Sequence, residues 1–202
     1  MQIICLDLEG VLIPEIWIEF AKETGIEELM ATTRDIPDYD VLMKQRLSFL
    51  RKNDLRIDDI QSVISGMEPL DGAKEFLNEL RSQYQVMILS DTFYEFAYPF
   101  MQQLAWPTLL CHRLMIDSQG GVENYVLRQK DPKRNAVKAM KQLNFRVFAA
   151  GDSYNDTTML EEADAGFLFC APDNVVEEFP EFPLTTNYDE LLDCFKKAEL
   201  DE

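Results

Sequence analysis

Five short apolar runs punctuate the chain, each ending abruptly in a polar turn: Ile3–Leu6, Val86–Leu89, Thr108–Cys111, Val147–Ala150 and Gly166–Cys170. Runs that are apolar throughout, without a polar residue at every second place, suit strands buried on both faces, as in a parallel sheet covered by helices. Helical patterns fall between them, over Leu70–Arg81, Phe93–Leu104, Pro132–Leu143 and Tyr154–Ala163, and Pro132 suits a first helical turn. Strand and helix alternate, which predicts an α/β fold with a mostly parallel sheet flanked by helices.

Two stretches break this rhythm. Between Ile13 and Pro69, residues such as Ile16, Phe20, Ala21, Leu42, Met43, Leu47 and Leu50 recur at helical spacing with no evident strand among them, so this part reads as a small, mainly helical insert. From Arg113 to Arg128, apolar residues flank Ser118-Gln119-Gly120-Gly121, a hairpin signature expected to project from the sheet. The chain has 202 residues, enough for one core with a small insert. The expected organisation is a core of residues 1–12 and 70–202, with the hairpin 113–128, and an insert of residues 13–69. The last few residues are expected to fray.

Charge narrows the partners. With 37 acidic and 19 basic side chains the formal net charge is −18, which repels phosphate backbones and anionic membranes and argues against nucleic acid or a membrane as partner. A small anionic substrate stays compatible, because a bound cation and a few basic groups reverse the field locally. Cys5, Cys111, Cys170 and Cys194 are widely spaced and form no C-x-x-C pair, so they read as reduced structural residues. No leader pattern precedes Ile3 and no apolar run is of membrane-spanning length, which favours a cytoplasmic location.

The chemistry-bearing residues gather at the ends of the apolar runs. Asp7-Leu8-Glu9-Gly10 follows the first run, at the carboxyl edge of a parallel sheet, where α/β folds place ligands. Alternate residues of an extended segment point the same way, so Asp7 and Glu9 can face one cleft; alone, they also fit two acids in a solvated turn. Gly151-Asp152-Ser153-Tyr154-Asn155-Asp156 follows the fourth run. Carboxylates converging from two strand ends repel one another unless a cation sits between them, and hard oxygen ligands beside a phosphate point to Mg²⁺. Asp156 by itself also fits an acid at a helix N-terminus. Ser90-Asp91-Thr92 follows the second run and offers a hydroxyl and backbone N–H groups at a helix start to phosphoryl oxygens, or simply a helix cap. Lys133, beside Pro132, is a cation at a helix start, against the helix dipole; it is either held there for a reason or a solvated lysine.

Taken together and in this order, Asp-x-Glu-Gly, Ser, Lys and Gly-Asp-x-x-x-Asp resemble the haloacid dehalogenase superfamily of phosphatases and phosphotransferases, over the whole core. The resemblance implies a Rossmann-like core, a cap at residues 13–69 that selects substrate, Mg²⁺ as cofactor and catalysis through an aspartyl-phosphate on Asp7. It implies Mg²⁺ ligands in Asp7, Asp152 and Glu9 through its carbonyl, phosphoryl contacts from Ser90, Asp91, Lys133 and Asn155, and Asp156 behind them. Arg46 in Lys44-Gln45-Arg46-Leu47-Ser48-Phe49-Leu50 and Glu15 resemble the groups that take the carboxylate and amine of substrate in the phosphoserine phosphatase-like branch. Asp7 to Leu12, Thr32-Thr33-Arg34-Asp35-Ile36-Pro37-Asp38-Tyr39-Asp40 and Gly151 to Asp156 are most similar to members of that branch that move phosphate from phosphoserine to homoserine and also hydrolyse phosphoserine; whether the chain is a monomer or a homodimer is left open by the sequence. Glu9 stands where most members carry Asp, one methylene shorter. Without the resemblance, Glu15 and Arg46 read as a surface ion pair or a snorkelling arginine. A phosphatase of another phosphomonoester, such as a nucleotide or sugar phosphate, and a non-catalytic Mg²⁺ or phosphate-binding module would draw on the same residues.

Overall fold

The computed structural model describes residues 1–32, 35–36 and 38–200. Its centre is a seven-stranded sheet of β1 (Gln2–Leu6), β2 (Gln85–Phe93), β3 (Thr108–Ile116), β4 (Val122–Val126), β5 (Arg146–Gly151), β6 (Ala165–Phe169) and β7 (Leu184–Thr185), in the order β4-β3-β2-β1-β5-β6-β7. Every neighbouring pair is parallel except β3 with β4.

Alternate residues of β1 explain why its run has no polar break. Ile4 and Leu6 face one side of the sheet and join a core containing Phe76, Leu77 and Leu80 of α4 (Ala73–Gln83) and Phe195 of α9 (Tyr188–Leu200). Ile3 and Cys5 face the other and join Val137 of α6 (Pro132–Gln142), Met159 of α7 (Thr157–Glu162) and Val175 of α8 (Asp173–Glu178). Each such side chain, fully buried, contributes about 1.5–3 kcal/mol, so both faces drive the sheet into the middle of the molecule. The remaining core helix, α5 (Tyr94–Gln103), packs against β2 and β3.

Between β1 and α4 lie α1 (Ile16–Thr24), α2 (Tyr39–Lys52) and α3 (Ile57–Ser65). Their apolar spacing buries Ile16, Trp17, Phe20 and Ala21 of α1, Leu42, Met43, Leu47 and Leu50 of α2, and Ile57, Ile60 and Ile64 of α3. Asp38 caps α2, accepting from the N–H groups of Asp40 (2.9 Å) and Val41 (3.1 Å), which satisfies donors that the first turn would leave orphaned.

The hairpin falls on the expected residues and runs past the main sheet: β3 pairs with β2 only as far as His112, and Arg113–Ile116 pair with β4 alone. Its tip is held by the helical insert: Ile57 N–H donates to the Gly120 carbonyl at 2.8 Å, and Arg56 Nη1 donates to the Gln119 carbonyl at 3.2 Å. Tyr125 of β4 reaches α2, donating from its hydroxyl to Asp40 at 2.6 Å and meeting the Tyr39 ring edge-on. Two differences from expectation concern the carboxyl edge. Strand β2 extends through Ser90-Asp91-Thr92 to Phe93 with a register shift against β3, so Ser90 lies in an irregular strand end and not at a helix start. Tyr154–Asp156 form a separate 3-10 turn before α7. Of the cysteines, Cys5 and Cys111 are buried, Cys194 is half-buried and Cys170 is exposed; all are free thiols. Helix α9 continues to Leu200, and Thr33, Arg34, Pro37, Asp201 and Glu202 lie outside the described residues. Among the described residues, no helix is long and apolar enough to cross a membrane.

Candidate active site

Strands β2, β1 and β5 are adjacent, so the residues that follow them emerge side by side at one edge of the sheet. Asp7 follows β1 directly and its N–H donates to the Ala150 carbonyl of β5 at 3.0 Å. Asp152 follows β5, Asp156 ends the 3-10 turn, and Lys133 is the second residue of α6. Lys133 Nζ lies 2.9 Å from Asp7 Oδ1, 2.6 Å from Asp156 Oδ1 and 3.7 Å from Asp91 Oδ2. Three anions thus offset the cost of a buried cation at a helix N-terminus. Asp7, Asp152 and Asp156 each bring a carboxylate oxygen within 4.8 Å of the others. The sequence-predicted residues Asp7, Lys133, Asp152 and Asp156 therefore form one cluster.

Two glycines make this convergence sterically possible. Gly10 has φ +77°, and a Cβ there would stand 2.4 Å from Asp152 Cγ. A Cβ on Gly151 would stand 2.3 Å from Asp156 Cγ. Any side chain at either place would drive a carboxylate out of the cluster.

The oxygens are not equivalent. Asp7 Oδ1 accepts the Leu8 N–H at 2.7 Å besides contacting Lys133. Asp156 commits Oδ1 to Lys133, and Oδ2 to the N–H groups of Asp152 (3.0 Å) and Ser153 (3.1 Å). Asp156 is thus saturated by protein donors, whereas Asp7 and Asp152 keep acceptor capacity. Burial, reinforced by the neighbouring Asp156 and Asp152 charges, pushes the Asp7 carboxyl well above its usual range against the pull of Lys133. Burial and then Asp156 push Asp152 up to about 7. Lys133 is held well above its ordinary value: burial opposes its charge, but Asp156 and Asp7 outweigh it. Three carboxylates against one ammonium leave an anionic excess that a divalent cation with oxygen ligands would neutralise.

Ser90 and Asp91 stand at the end of β2. Ser90 is buried and its Oγ accepts the Thr92 N–H at 3.2 Å. Asp91 Oδ2 accepts from Asn155 Nδ2 at 2.8 Å. Burial opposes the Asp91 charge, yet Lys133, His112 and Asn155 hold the carboxyl far below the usual carboxylate range. Asn155 is exposed, and its amide oxygen accepts the Ser153 hydroxyl.

The helical insert supplies the other wall. Glu9 Oε1 accepts the N–H of Ile16, the first residue of α1, at 2.8 Å. Burial, then the charge of Glu15, pushes the Glu9 carboxyl up to about 8. Glu15, exposed beside α1, also raises Asp152 and supports the charge on Arg46. Arg46 of α2 is buried, 7% exposed, with its Cζ 4.7 Å from the centre of the Trp17 ring. Its Nη2 donates to the Ala31 carbonyl at 2.8 Å, but its Nε has no partner, and no carboxylate of the described residues lies within ion-pair range. Burial draws the guanidinium down to about 10. Glu9 feels both Lys133 and Arg46, so it stands between the two walls.

Sequence reasoning missed two residues. His112 sits inside the buried half of β3, 3% exposed, with Nε2 3.4 Å from Asp91 Oδ1; a lone histidine in an apolar run carries no local signal. Tyr39, the first residue of α2, places its hydroxyl 3.5 Å from the Asp91 carbonyl. Burial, then the Asp91 charge, raises its phenol well above the ordinary tyrosine value, which keeps it protonated.

The haloacid dehalogenase-like hydrolase family pattern matches residues 1–164. A phosphoserine phosphatase of Pseudomonas syringae pv. tomato is 65% identical over 198 residues, covering 98% of this chain and 84% of its own. Phosphoserine phosphatase ThrH of Pseudomonas aeruginosa is 63% identical over 198 residues, covering 98% of this chain and 97% of its own. Among solved structures, a phosphoserine phosphatase in apo form superimposes with a TM-score of 0.76 at 25% identity, covering 95% of this chain and 98% of that one. The chain belongs to the haloacid dehalogenase-like hydrolase family.

Proposed function

We propose that this hydrolase is a Mg²⁺-dependent phosphoserine phosphatase that also transfers the phosphoryl group to homoserine, through an aspartyl-phosphate on Asp7. The observation that carries the reading is the buried Asp7–Lys133–Asp156 cluster, with Asp152 beside it, lying across Glu9 from a buried arginine that has no carboxylate partner among the described residues. Relatives of 63–65% identity named phosphoserine phosphatases support the substrate.

The donor set fits Mg²⁺, since its atoms are hard carboxylate oxygens whose mutual repulsion raises Asp7 and Asp152. Held by Asp7, Asp152 and the Glu9 main-chain carbonyl, the ion would offset charge on the transferring phosphoryl group. The chain's own groups do the rest. Ser90 and Lys133 hold phosphoryl oxygens, and Asp156 positions Lys133. Asp7 attacks phosphorus through the carboxylate oxygen not committed to Lys133; the bond to the serine oxygen breaks, and Glu9 gives that oxygen a proton. A carboxyl raised to about 8 is protonated when this step needs it. The ionised Glu9 then takes a proton from homoserine or water, whose oxygen attacks phosphorus and releases Asp7. Residues 13–69 act as the cap, with Arg46 taking the substrate carboxylate and Glu15 the amine.

The test follows phosphorus by NMR while purified protein, Mg²⁺ and phosphoserine react with and without homoserine. Phosphohomoserine is the expected product when homoserine is present. Free phosphate alone, even with abundant homoserine, would reduce the activity to hydrolysis. No reaction of phosphoserine, with turnover of a nucleotide or sugar phosphate, would replace the substrate.

A further inference from the structure

His112 is the chain's one histidine, and it lies on β3, a strand that supplies none of the groups used above. Its Nδ1 accepts the backbone N–H of Arg128 at 3.1 Å. A backbone N–H can only donate, so Nδ1 carries no proton and the ring's proton stands on Nε2. Nε2 faces Asp91 Oδ1 at 3.4 Å. The other oxygen of Asp91 accepts from Asn155 Nδ2 at 2.8 Å and lies 3.7 Å from Lys133 Nζ. Asp91 is therefore gripped from β3 on one oxygen and from the turn after β5 on the other. Lys133 in turn has anionic neighbours from three separate parts of the chain: Asp7, Asp156 and Asp91. Were Asp91 to swing away, the ammonium would settle onto Asp7 and Asp156 alone, deeper in the carboxylate cluster and less available to a phosphoryl oxygen. A buried imidazole also costs desolvation that a phenyl ring in the same space would not, so core packing alone does not account for it.

We infer that His112 is a positioning residue, which fixes the Asp91 carboxylate and through it holds Lys133 in reach of the substrate's phosphoryl group. The inference rests on the reading of Lys133 as a phosphoryl ligand. Asp91 accordingly belongs to the lysine's support and does not touch substrate.

Calorimetric titration of inorganic phosphate into the Mg²⁺-loaded protein, run beside steady-state kinetics on phosphoserine, tests it. H112F keeps a ring but loses the donor, whereas H112Q places an amide N–H near the position of Nε2. H112F is expected to weaken phosphate binding about tenfold, the size of one hydrogen bond to a charged group, and to raise KM more than it lowers kcat. H112Q is expected to stay near wild type. Equal losses in H112F and H112Q would show that ring shape matters and the donor does not, which overturns the inference. D91N separates positioning from charge: removing an anion beside the phosphate site should tighten phosphate binding if Asp91 were only a charge, and should weaken it if Asp91 holds Lys133. Tightening overturns the inference. K133A distinguishes the two levels of the argument. Normal phosphate binding in K133A would overturn the reading of Lys133 itself, while loss in K133A with normal binding in H112F overturns only the role of His112.

Discussion

The two walls of the site are built on opposite principles. On the core side the buried cation has its counterparts, since Lys133 contacts Asp7 and Asp156 and Asp156 is saturated by Lys133 and two backbone N–H groups, but Asp152 has no ion pair among the described residues. What that wall lacks is a positive charge to offset its surplus of carboxylates. On the insert side Arg46 is buried with an unsatisfied Nε and no carboxylate partner among the described residues, so what is missing there is an anion. A buried charge without its partner is costly, and a protein tolerates it where a ligand completes the pair. The walls therefore demand different things, a cation below and an anionic group above, and a small phosphomonoester with a carboxylate tail, bound with Mg²⁺, supplies both.

Breaking the core wall should have the largest effect. Asp7→Asn keeps the shape and removes the nucleophile; turnover of phosphoserine is expected to fall by at least about 10⁴-fold, measured as phosphate release with binding of inorganic phosphate retained. Near-normal release would exclude covalent catalysis at Asp7. The insert wall should fail differently. Arg46→Ala is expected to raise KM for phosphoserine roughly 10- to 100-fold, as loss of a charge-assisted pair would, while turnover of p-nitrophenyl phosphate, which has no carboxylate tail, changes little. Equal losses on both substrates would place Arg46 in the catalytic step or in folding.

The core wall was legible because its cause is local. A buried parallel strand must end in a turn, and an acid, a serine or a glycine at that turn stands out against the apolar run; Asp7, Ser90, Gly151 and Asp152 were found in this way. The glycines could have said more, since Gly10 and Gly151 mark where carboxylates press against backbone. The insert side was not legible from spacing alone, because whether Arg46 is buried or snorkels depends on Trp17 and Ala31, 29 and 15 residues earlier in the chain. Nor was His112, whose partners Asp91 and Arg128 come from different parts of the chain. What tethers the hairpin was hidden for the same reason: its tip bonds to residues of the insert about 60 positions away. Helices α8 and α9 escaped notice because their apolar positions are interleaved with many acids.

Glu9 joins the walls, and altering its length should sharpen the comparison at intermediate cost. Its Oε1 holds the Ile16 N–H of the insert while its other oxygen remains for the reacting group. In Glu9→Asp the shorter side chain cannot keep both reaches. The expected result is about a tenfold lower kcat and a larger share of free phosphate over phosphohomoserine, because the gap left by the methylene admits water. An unchanged product ratio in the NMR assay would detach acceptor choice from Glu9.

The smallest effect concerns stability, and its sign separates the cation's wall from the rest. Glu9 and Asp152 are raised from their ordinary values of 4.5 and 3.8 to about 8 and about 7, so without a divalent ion the folded protein holds these protons more tightly than the unfolded chain does. The stabilisation is complete below the ordinary carboxylate range and is lost as pH rises through 7 and 8. Asp91 has the opposite sign, but its lowered value puts its transition far below this window. In EDTA, Tm should therefore drop by about a few degrees between pH 6 and pH 9. If Mg²⁺ is held by the ionised forms of Asp7 and Asp152, as proposed, its stabilisation should grow over the same interval, and the gap between Tm with Mg²⁺ and Tm in EDTA should be wider at pH 9. Asp152→Asn should narrow that gap while leaving the part of the EDTA slope that Glu9 contributes. A gap that is constant or shrinks with pH would mean that the cation does not engage these carboxylates, and the core wall would then need another source of positive charge.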